Sequence, residues 1–307
     1  MAYDIIGDIH GHADELRALL IHLGYQHDGI TYRHADRQAI FLGDFIDRGP
    51  QQKAVLDIVM PMVSSGAAQA VMGNHEFNAL AYHTRSPNEP GKWLRPRSTK
   101  NATQHQAFLS AYPGDHNAER DAVLAWFMTL PLWLELEGLR VVHACWHDES
   151  INYLKDYVCA NNTLDLLLLT RASEYGSAAF KHVEIVLKGW ELPMPAKHSF
   201  TDNDGHERTQ LRSRWWLTGT PSYRAAGIDD IASTELEALL VGTGELPGYH
   251  PAEVPVFTGH YWLKGTPGVL APNLACVDYA VAKQGKLVAY RWDGEATLRN
   301  ENFRFVA

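Results

Sequence analysis

The sequence predicts an α/β protein built around a largely parallel sheet. Two observations carry that prediction. A plan of short apolar run, glycine-led polar turn and helix occurs three times between residues 3 and 82, and the most polar residues collect just beyond the apolar runs. Strands that alternate with helices imply βαβ units, whose functional groups lie beyond the carboxyl ends of the strands.

The elements follow in order. Tyr3–Ile6 runs into Gly7-Asp8, and the next segment places Leu16, Leu19, Leu20 and Leu23 on one helical face. Ala39–Leu42 runs into Gly43-Asp44, followed by a helix burying Val55, Ile58, Val59 and Met62. Gln69–Met72 runs into Gly73-Asn74, with a third helix over Glu76–Tyr82. Pro87–Lys100, rich in Pro, Arg and Lys, reads as a loop, and helices are expected at Thr103–Ala111 and Glu119–Thr129. Trp133–Glu137 and Leu139–His143, joined at Gly138, form a hairpin that delivers His143 at a strand end. Further helices are expected at Leu164–Arg171, Ala178–Leu187 and Thr234–Leu240, with a polar loop at Thr201–Thr209. Val254–Thr258, Ala275–Tyr279 and Leu287–Trp292 read as strands. The whole of 1–307 is expected to be a single domain, with 151–255 an elaboration covering the active site.

Composition limits the function classes. With 46% hydrophobic and 21% charged residues, the 307-residue chain has the balance of a globular protein with a sizeable core. Its formal charge of −9 argues against a broad nucleic-acid footprint. Three widely spaced cysteines give no disulfide framework and fit a reducing compartment. No apolar run approaches the ~20 residues of a membrane helix, and no secretory pattern opens the chain, so a cytoplasmic location is expected.

Hard divalent ions prefer carboxylate oxygen, whereas Mn, Fe and Zn also accept imidazole nitrogen. The sequence offers both kinds of donor at successive strand ends: Asp8 and His10, Asp44, Asn74, His143 and His260. Several are bordered by glycine (Gly7, Gly43, Gly73, Gly259), which lets backbone approach an ion or phosphate closely. His12, His22, His27 and His34 read as loop or surface residues. Gly242-Thr-Gly244 reads as a turn, and no phosphate-binding P-loop motif occurs. Trp215-Trp216 and Tyr261-Trp262 read as core, with base stacking as the alternative.

Gly7-Asp8-Ile9-His10-Gly11, Gly43-Asp44-Phe45-Ile46-Asp47-Arg48-Gly49 and Gly73-Asn74-His75-Glu76 resemble the signature blocks of calcineurin-like metallophosphoesterases. The resemblance is to the branch of PPP-type serine/threonine phosphatases and bacterial symmetrical diadenosine tetraphosphatases. His143-Ala144 and Gly259-His260 match the two later histidine blocks, so five blocks occur in the family's order. The resemblance implies a four-layer sandwich, with two central mixed β-sheets flanked by helices. It implies two divalent metal ions, Mn²⁺ foremost with Fe or Zn compatible, held by Asp8, His10, Asp44, Asn74, His143 and His260, with Asp44 bridging. A metal-bridging hydroxide would attack phosphorus in line. His75 would protonate the leaving oxygen, oriented by Asp47, while Arg48 grips phosphate oxygens and Asn74 lies beside the substrate. Arg212 and Arg214, in Leu211-Arg-Ser-Arg-Trp215, are the candidates for a second phosphate-binding arginine.

The function implied is hydrolysis of a phosphomonoester, phosphoserine or phosphothreonine among them, on a phosphoprotein, nucleotide or small molecule. The alternative within the branch is a symmetrical dinucleoside polyphosphate hydrolase. The alternative of another class is an inactive scaffold or nucleic-acid-binding module. No membrane partner is expected. Glu76 reads as a helix-terminus carboxylate outside catalysis. Cys145, where the family often has glycine, suggests sensitivity to oxidation, and Asp278-Tyr279-Ala280 departs from the family's small residue and glycine.

Overall fold

The computed structural model describes residues 1–195, 198–201, 207–228 and 234–307. The middle of the loop expected at Thr201–Thr209, residues 202–206, lies outside the described residues. The chain divides into two compact units, Met1–Leu187 with Val254–Ala307, and Lys188–Glu253.

The first unit opens with β1 (Ala2–Ile6), α1 (Ala13–Leu23), a short hairpin of β2 (Gln26–His27) and β3 (Tyr32–Arg33), and β4 (Arg37–Phe41). Next come α2 (Gln52–Ser64), β5 (Ala68–Ala70), α3 (Asn74–His83), α4 (Thr99–Gln104), α5 (Gln106–Ala111) and α6 (Ala118–Phe127). They are followed by β6 (Trp133–Leu136), β7 (Leu139–Val142), α7 (Asp148–Lys155), α8 (Leu166–Ala172) and α9 (Ala178–Lys188). The second unit carries β8 (Glu191–Pro193), β9 (Phe200–Thr201), β10 (Glu207–Arg208), β11 (Gln210–Arg212), α10 (Tyr223–Ala226) and α11 (Thr234–Ala238). The first unit then resumes with β12 (Val256–Thr258), β13 (Leu274–Cys276), β14 (Asp278–Tyr279), β15 (Lys286–Trp292) and β16 (Phe303–Val306).

Two sheets result. The first runs β14-β15-β1-β4-β5, with β16 also paired to β15; β1, β4 and β5 are parallel, and β15 is antiparallel to β1. The second runs β13-β12-β7-β6, with β12 parallel to both neighbours and β6–β7 an antiparallel hairpin turning at Gly138. One apolar cluster joins them, combining Ile5, Ile40, Leu42 and Val71 from the first with Leu139, Val141, Phe257 and Ala275 from the second. The sheets therefore pack face to face, and each large side chain buried between them contributes about 1.5–3 kcal/mol. Helices α1 and α2 bury the faces that their spacing predicts, Leu16, Leu19, Leu20 and Leu23 on one, Val55, Ile58, Val59 and Met62 on the other.

Three boundaries differ from the sequence pattern for physical reasons. Helix α3 begins at Asn74, because Glu76 accepts the backbone N–H of Gly73 and closes the first turn two residues early. The helix expected at Thr103–Ala111 is broken at His105 into α4 and α5. The strand expected at Ala275–Tyr279 divides between the sheets: β13 belongs to the second and β14 to the first, with Val277 crossing between them. Period-two alternation cannot show such a change of sheet.

In the second unit β8 pairs with β11 and β9 with β10, both antiparallel. Leu192, Leu211, Tyr223, Ala226 and Val241 form its own apolar cluster. Among the described residues no helix is long and apolar enough to cross a membrane.

Candidate metal centre

The strand ends of the first unit carry strained backbone. Among the described residues ten non-glycines have positive φ, and six of them are His10 (45°), Asp44 (50°), Asp47 (66°), Arg48 (67°), His260 (71°) and Trp262 (54°), all in or beside the predicted site. Such conformations persist only where the surroundings enforce them, and they concentrate at functional sites. The enforcement here is close backbone packing. A Cβ on Gly73 would lie 2.2 Å from Asp44 Oδ1, and one on Gly259 would lie 2.1 Å from Asp8 Oδ1.

The predicted ligand residues form one linked cluster. His10 donates from Nδ1 to the Ile46 carbonyl (2.9 Å), and His143 from Nδ1 to the Leu42 carbonyl (2.6 Å). These bonds fix the tautomers and leave each Nε2 as a lone-pair donor pointing inward. The two Nε2 atoms lie 3.6 and 3.4 Å from Asp44 Oδ2. Asn74 Oδ1 stands 3.2 Å from His143 Nε2 and 2.8 Å from His260 Nδ1. Asp8 accepts the backbone N–H of His260 through Oδ2 at 3.0 Å.

Two groups of potential donors emerge, His10 with Asp44 and His75, and Asp44 with His143 and His260, and Asp44 is common to both. Asp8 stands outside these two groups but is tied to His260 through Oδ2. Its Oδ1 and the Nε2 of His10 are buried without a hydrogen-bond partner. A buried orphan carboxylate oxygen or imidazole nitrogen is costly unless a cation or a proton meets it. Burial, together with the charges of Asp278 and Asp44, pushes the Asp8 carboxyl well above its usual range. Burial lowers His10 to about 4, so its ring is neutral and able to ligate. This is the chemistry of a site designed around positive charge, and the donor set fits divalent metal ions.

His75 is held differently. Its Nδ1 faces Asp47 Oδ2 at 2.6 Å, and its backbone N–H binds Asp44 Oδ1 at 2.9 Å. Burial works against its protonation, but the carboxylates of Asp44 and Asp47 outweigh it and raise the imidazole's pKa. With Nδ1 occupied, the free Nε2 lies 3.9 Å from Asp44 Oδ2, at the border of the cluster. Arg48 is exposed, and its guanidinium lies 5.0 Å from the centre of the Trp262 ring. Trp262 is 5.9 Å from His10, ring to ring, whereas Trp215, Trp216 and Tyr261 are buried as core. Arg212 and Arg214 belong to the second unit, where Arg214 lines a cleft with Ser222, Arg224 and Glu237.

Sequence reasoning missed two residues. Glu76 is more than a helix-end carboxylate: besides Gly73 N–H it accepts the N–H groups of Asp44 (2.7 Å) and Phe45 (2.9 Å). It thereby braces two strand ends, and its position in the motif beside Asn74 was the available signal. His105 Nδ1 reaches Asp47 Oδ1 at 2.9 Å, a contact across 58 residues that no local pattern announces. The oxidation sensitivity expected of Cys145 is corrected. The residue is fully buried and burial pushes its thiol well up, so little reactive thiolate forms. Ala280 takes the left-handed conformation (φ 56°) that glycine favours, and Asp278 accepts the N–H of Trp262 at 2.7 Å.

Residues 1–172 match the family model described as calcineurin-like phosphoesterase. An Oceanobacillus iheyensis protein named as an asymmetrical bis(5'-nucleosyl)-tetraphosphatase PrpE is 46% identical over 145 residues, covering 47% of this chain and 55% of that protein. A Bacillus subtilis protein of the same name is 45% identical over 88 residues, covering 28% and 36%. The chain thus spans little more than half of the first relative's length and about a third of the second's. The crystal structure of a candidate diadenosine tetraphosphatase aligns with 99% of this chain and 92% of its own, with a TM-score of 0.51 and 16% identity, which supports the fold. With the family model covering more than half of its residues, the chain belongs to the calcineurin-like phosphoesterase family.

Proposed function

We propose that the protein is a metal-dependent phosphoesterase whose substrate is a dinucleoside polyphosphate. The observation that carries the reading is the buried cluster centred on Asp44, shared by two donor groups and bordered by the orphan Asp8 Oδ1 and His10 Nε2. Asp8, His10, Asp44, Asn74, His143 and His260 would hold two divalent ions, with Mn²⁺ the ion for assay. Such ions supply Lewis acidity toward phosphoryl oxygens and a water that ionises near neutral pH. The chain's own groups do the rest. Arg48, exposed over Trp262, grips phosphate oxygens with its planar fork. His75 gives a proton from Nε2 to the departing oxygen, while Asp47 holds Nδ1 and stabilises the imidazolium. The names of the relatives in Oceanobacillus and Bacillus support the dinucleotide.

A second reading, a phosphomonoester such as phosphoserine or phosphothreonine, is favoured by the His75–Asp47 pair. An alkoxide leaving group needs a proton far more than a terminal phosphate, whose second pKa is about 6. The test is direct. Metal-stripped protein should be silent toward p-nitrophenyl phosphate and diadenosine tetraphosphate and should gain turnover with Mn²⁺. Products of the dinucleotide should be ATP and AMP if cleavage is asymmetrical, and two ADP if symmetrical. A phosphopeptide turned over tenfold better than the dinucleotide, about 1.4 kcal/mol in transition-state binding, would establish the second reading instead. Turnover unchanged in the presence of chelator would refute both.

A further inference from the structure

His105 stands outside every motif of the metal centre, yet it is tied to the residue that orients the proposed acid. Its ring is 5% exposed, stacks on Phe108 at 4.7 Å and lies 5.2 Å from the Tyr82 ring. The two oxygens of Asp47 are divided between two imidazoles: Oδ2 faces His75 Nδ1 at 2.6 Å and Oδ1 faces His105 Nδ1 at 2.9 Å. Burial opposes ionisation of Asp47, but these two histidines hold its carboxyl well below the usual range, so it only accepts. His105 must therefore donate from Nδ1. In the neutral tautomer its Nε2 is then an acceptor, and that atom lies 3.3 Å from Nε2 of His83. Burial lowers His83 to about 3, so its ring is neutral and can donate from Nε2 toward that acceptor. A single direction of hydrogen bonding follows, from His83 through His105 to Asp47, where it meets the bond coming from His75.

We infer that His105 is a positioning residue: by anchoring Asp47 Oδ1 it turns Oδ2 toward His75 and fixes the His75 tautomer that aims Nε2 at the leaving oxygen. The interruption of the helix between α4 and α5 supports this, because it falls at His105, whose ring is buried against Asp47. Asp47 itself sits in strained backbone (φ 66°), with its N–H bound to Gln52 Oε1 at 2.7 Å, so its main chain is fixed and only its carboxylate plane remains to be set. The inference rests on the reading of His75 as the acid.

The experiment compares two aryl phosphates with Mn²⁺-loaded protein. p-Nitrophenyl phosphate has a leaving group that departs readily as an anion, whereas phenyl phosphate needs the proton more. His105→Phe keeps the ring packing and removes the donor. It should lower kcat for phenyl phosphate about tenfold or more, leave p-nitrophenyl phosphate within a few-fold, and leave KM unchanged. His105→Asn, whose amide N–H stands where Nδ1 does, should recover most of the loss. Combined with His75→Asn, His105→Phe should have little further effect. If His105→Phe does not fold, His105→Leu, which likewise has no donor, replaces it in the same comparison with His105→Asn. Equal losses on both esters, or a loss that persists in full with His75→Asn, would show a merely structural role and overturn the inference. If His75→Asn itself shows no dependence on the leaving group, the acid reading is at fault and the positioning role ends with it.

Discussion

Replacing Asp44 by Asn should lower kcat/KM about a thousandfold on every phosphoryl substrate tested, with only a small change in melting temperature. Asp44 Oδ2 is the point on which His10 and His143 converge, at 3.6 and 3.4 Å, and the residue belongs to both donor groups. The amide keeps the shape, and its oxygen can still accept the His75 N–H now bound at 2.9 Å. The negative charge is what disappears. A bound cation contributes several kcal/mol of transition-state charge stabilisation, and about 4 kcal/mol corresponds to a thousandfold in rate. The measurement is steady-state turnover across a Mn²⁺ titration, beside thermal melts and direct metal binding. Full recovery at high Mn²⁺ would confine Asp44 to metal affinity, and wild-type turnover at all concentrations would remove it from the site. The contrast with His75→Asn is informative, since that loss should grow with the basicity of the leaving group and the Asp44 loss should not.

Those two residues also show how far the sequence could be read. Asp44, His10 and Asn74 follow short apolar runs, and their blocks are contiguous, so local pattern and family resemblance suffice to nominate them. The parallel order of β1, β4 and β5 follows from the same βαβ plan. What resisted reading depends on contacts between distant segments. His105 joins Asp47 from an interruption between two six-residue helices, where the apolar pattern suggested one. The passage of Val277 from one sheet to the other is set by its N–H bonding to the Thr258 carbonyl at 2.8 Å and by Gly7 packing on its own carbonyl. Neither contact leaves a period in the sequence. Glu76 was visible as a residue but not as a brace, because its partners Asp44 and Phe45 lie on another strand's turn.

Gly43→Ala should be the most destabilising single methyl in the site, by about 3 kcal/mol. Gly43 has φ of 86°, and a left-handed conformation costs a residue with a Cβ roughly 1–2 kcal/mol. The added carbon would lie 2.2 Å from the Gly73 nitrogen and 2.6 Å from its Cα, both backbone atoms with no rotamer to yield. Overpacking of this kind adds about 1–3 kcal/mol. At ~2–4 °C per kcal/mol for a large domain, the melting temperature should fall by roughly 6–12 °C. Gly73→Ala tests the other side of the same contact. Its φ of −92° suits any residue, but its Cβ would meet Asp44 Oδ1 at 2.2 Å and Glu76 Oε2 at 2.8 Å. The strain should therefore pass to the carboxylate on which the metal reading depends, lowering turnover and Mn²⁺ affinity by a larger factor than stability alone would explain. Urea unfolding and metal titration of both variants separate the two effects. Equal losses of stability with unaltered metal affinity would mean that the glycines serve the packing of β4 against β5 and leave the placement of Asp44 to Glu76.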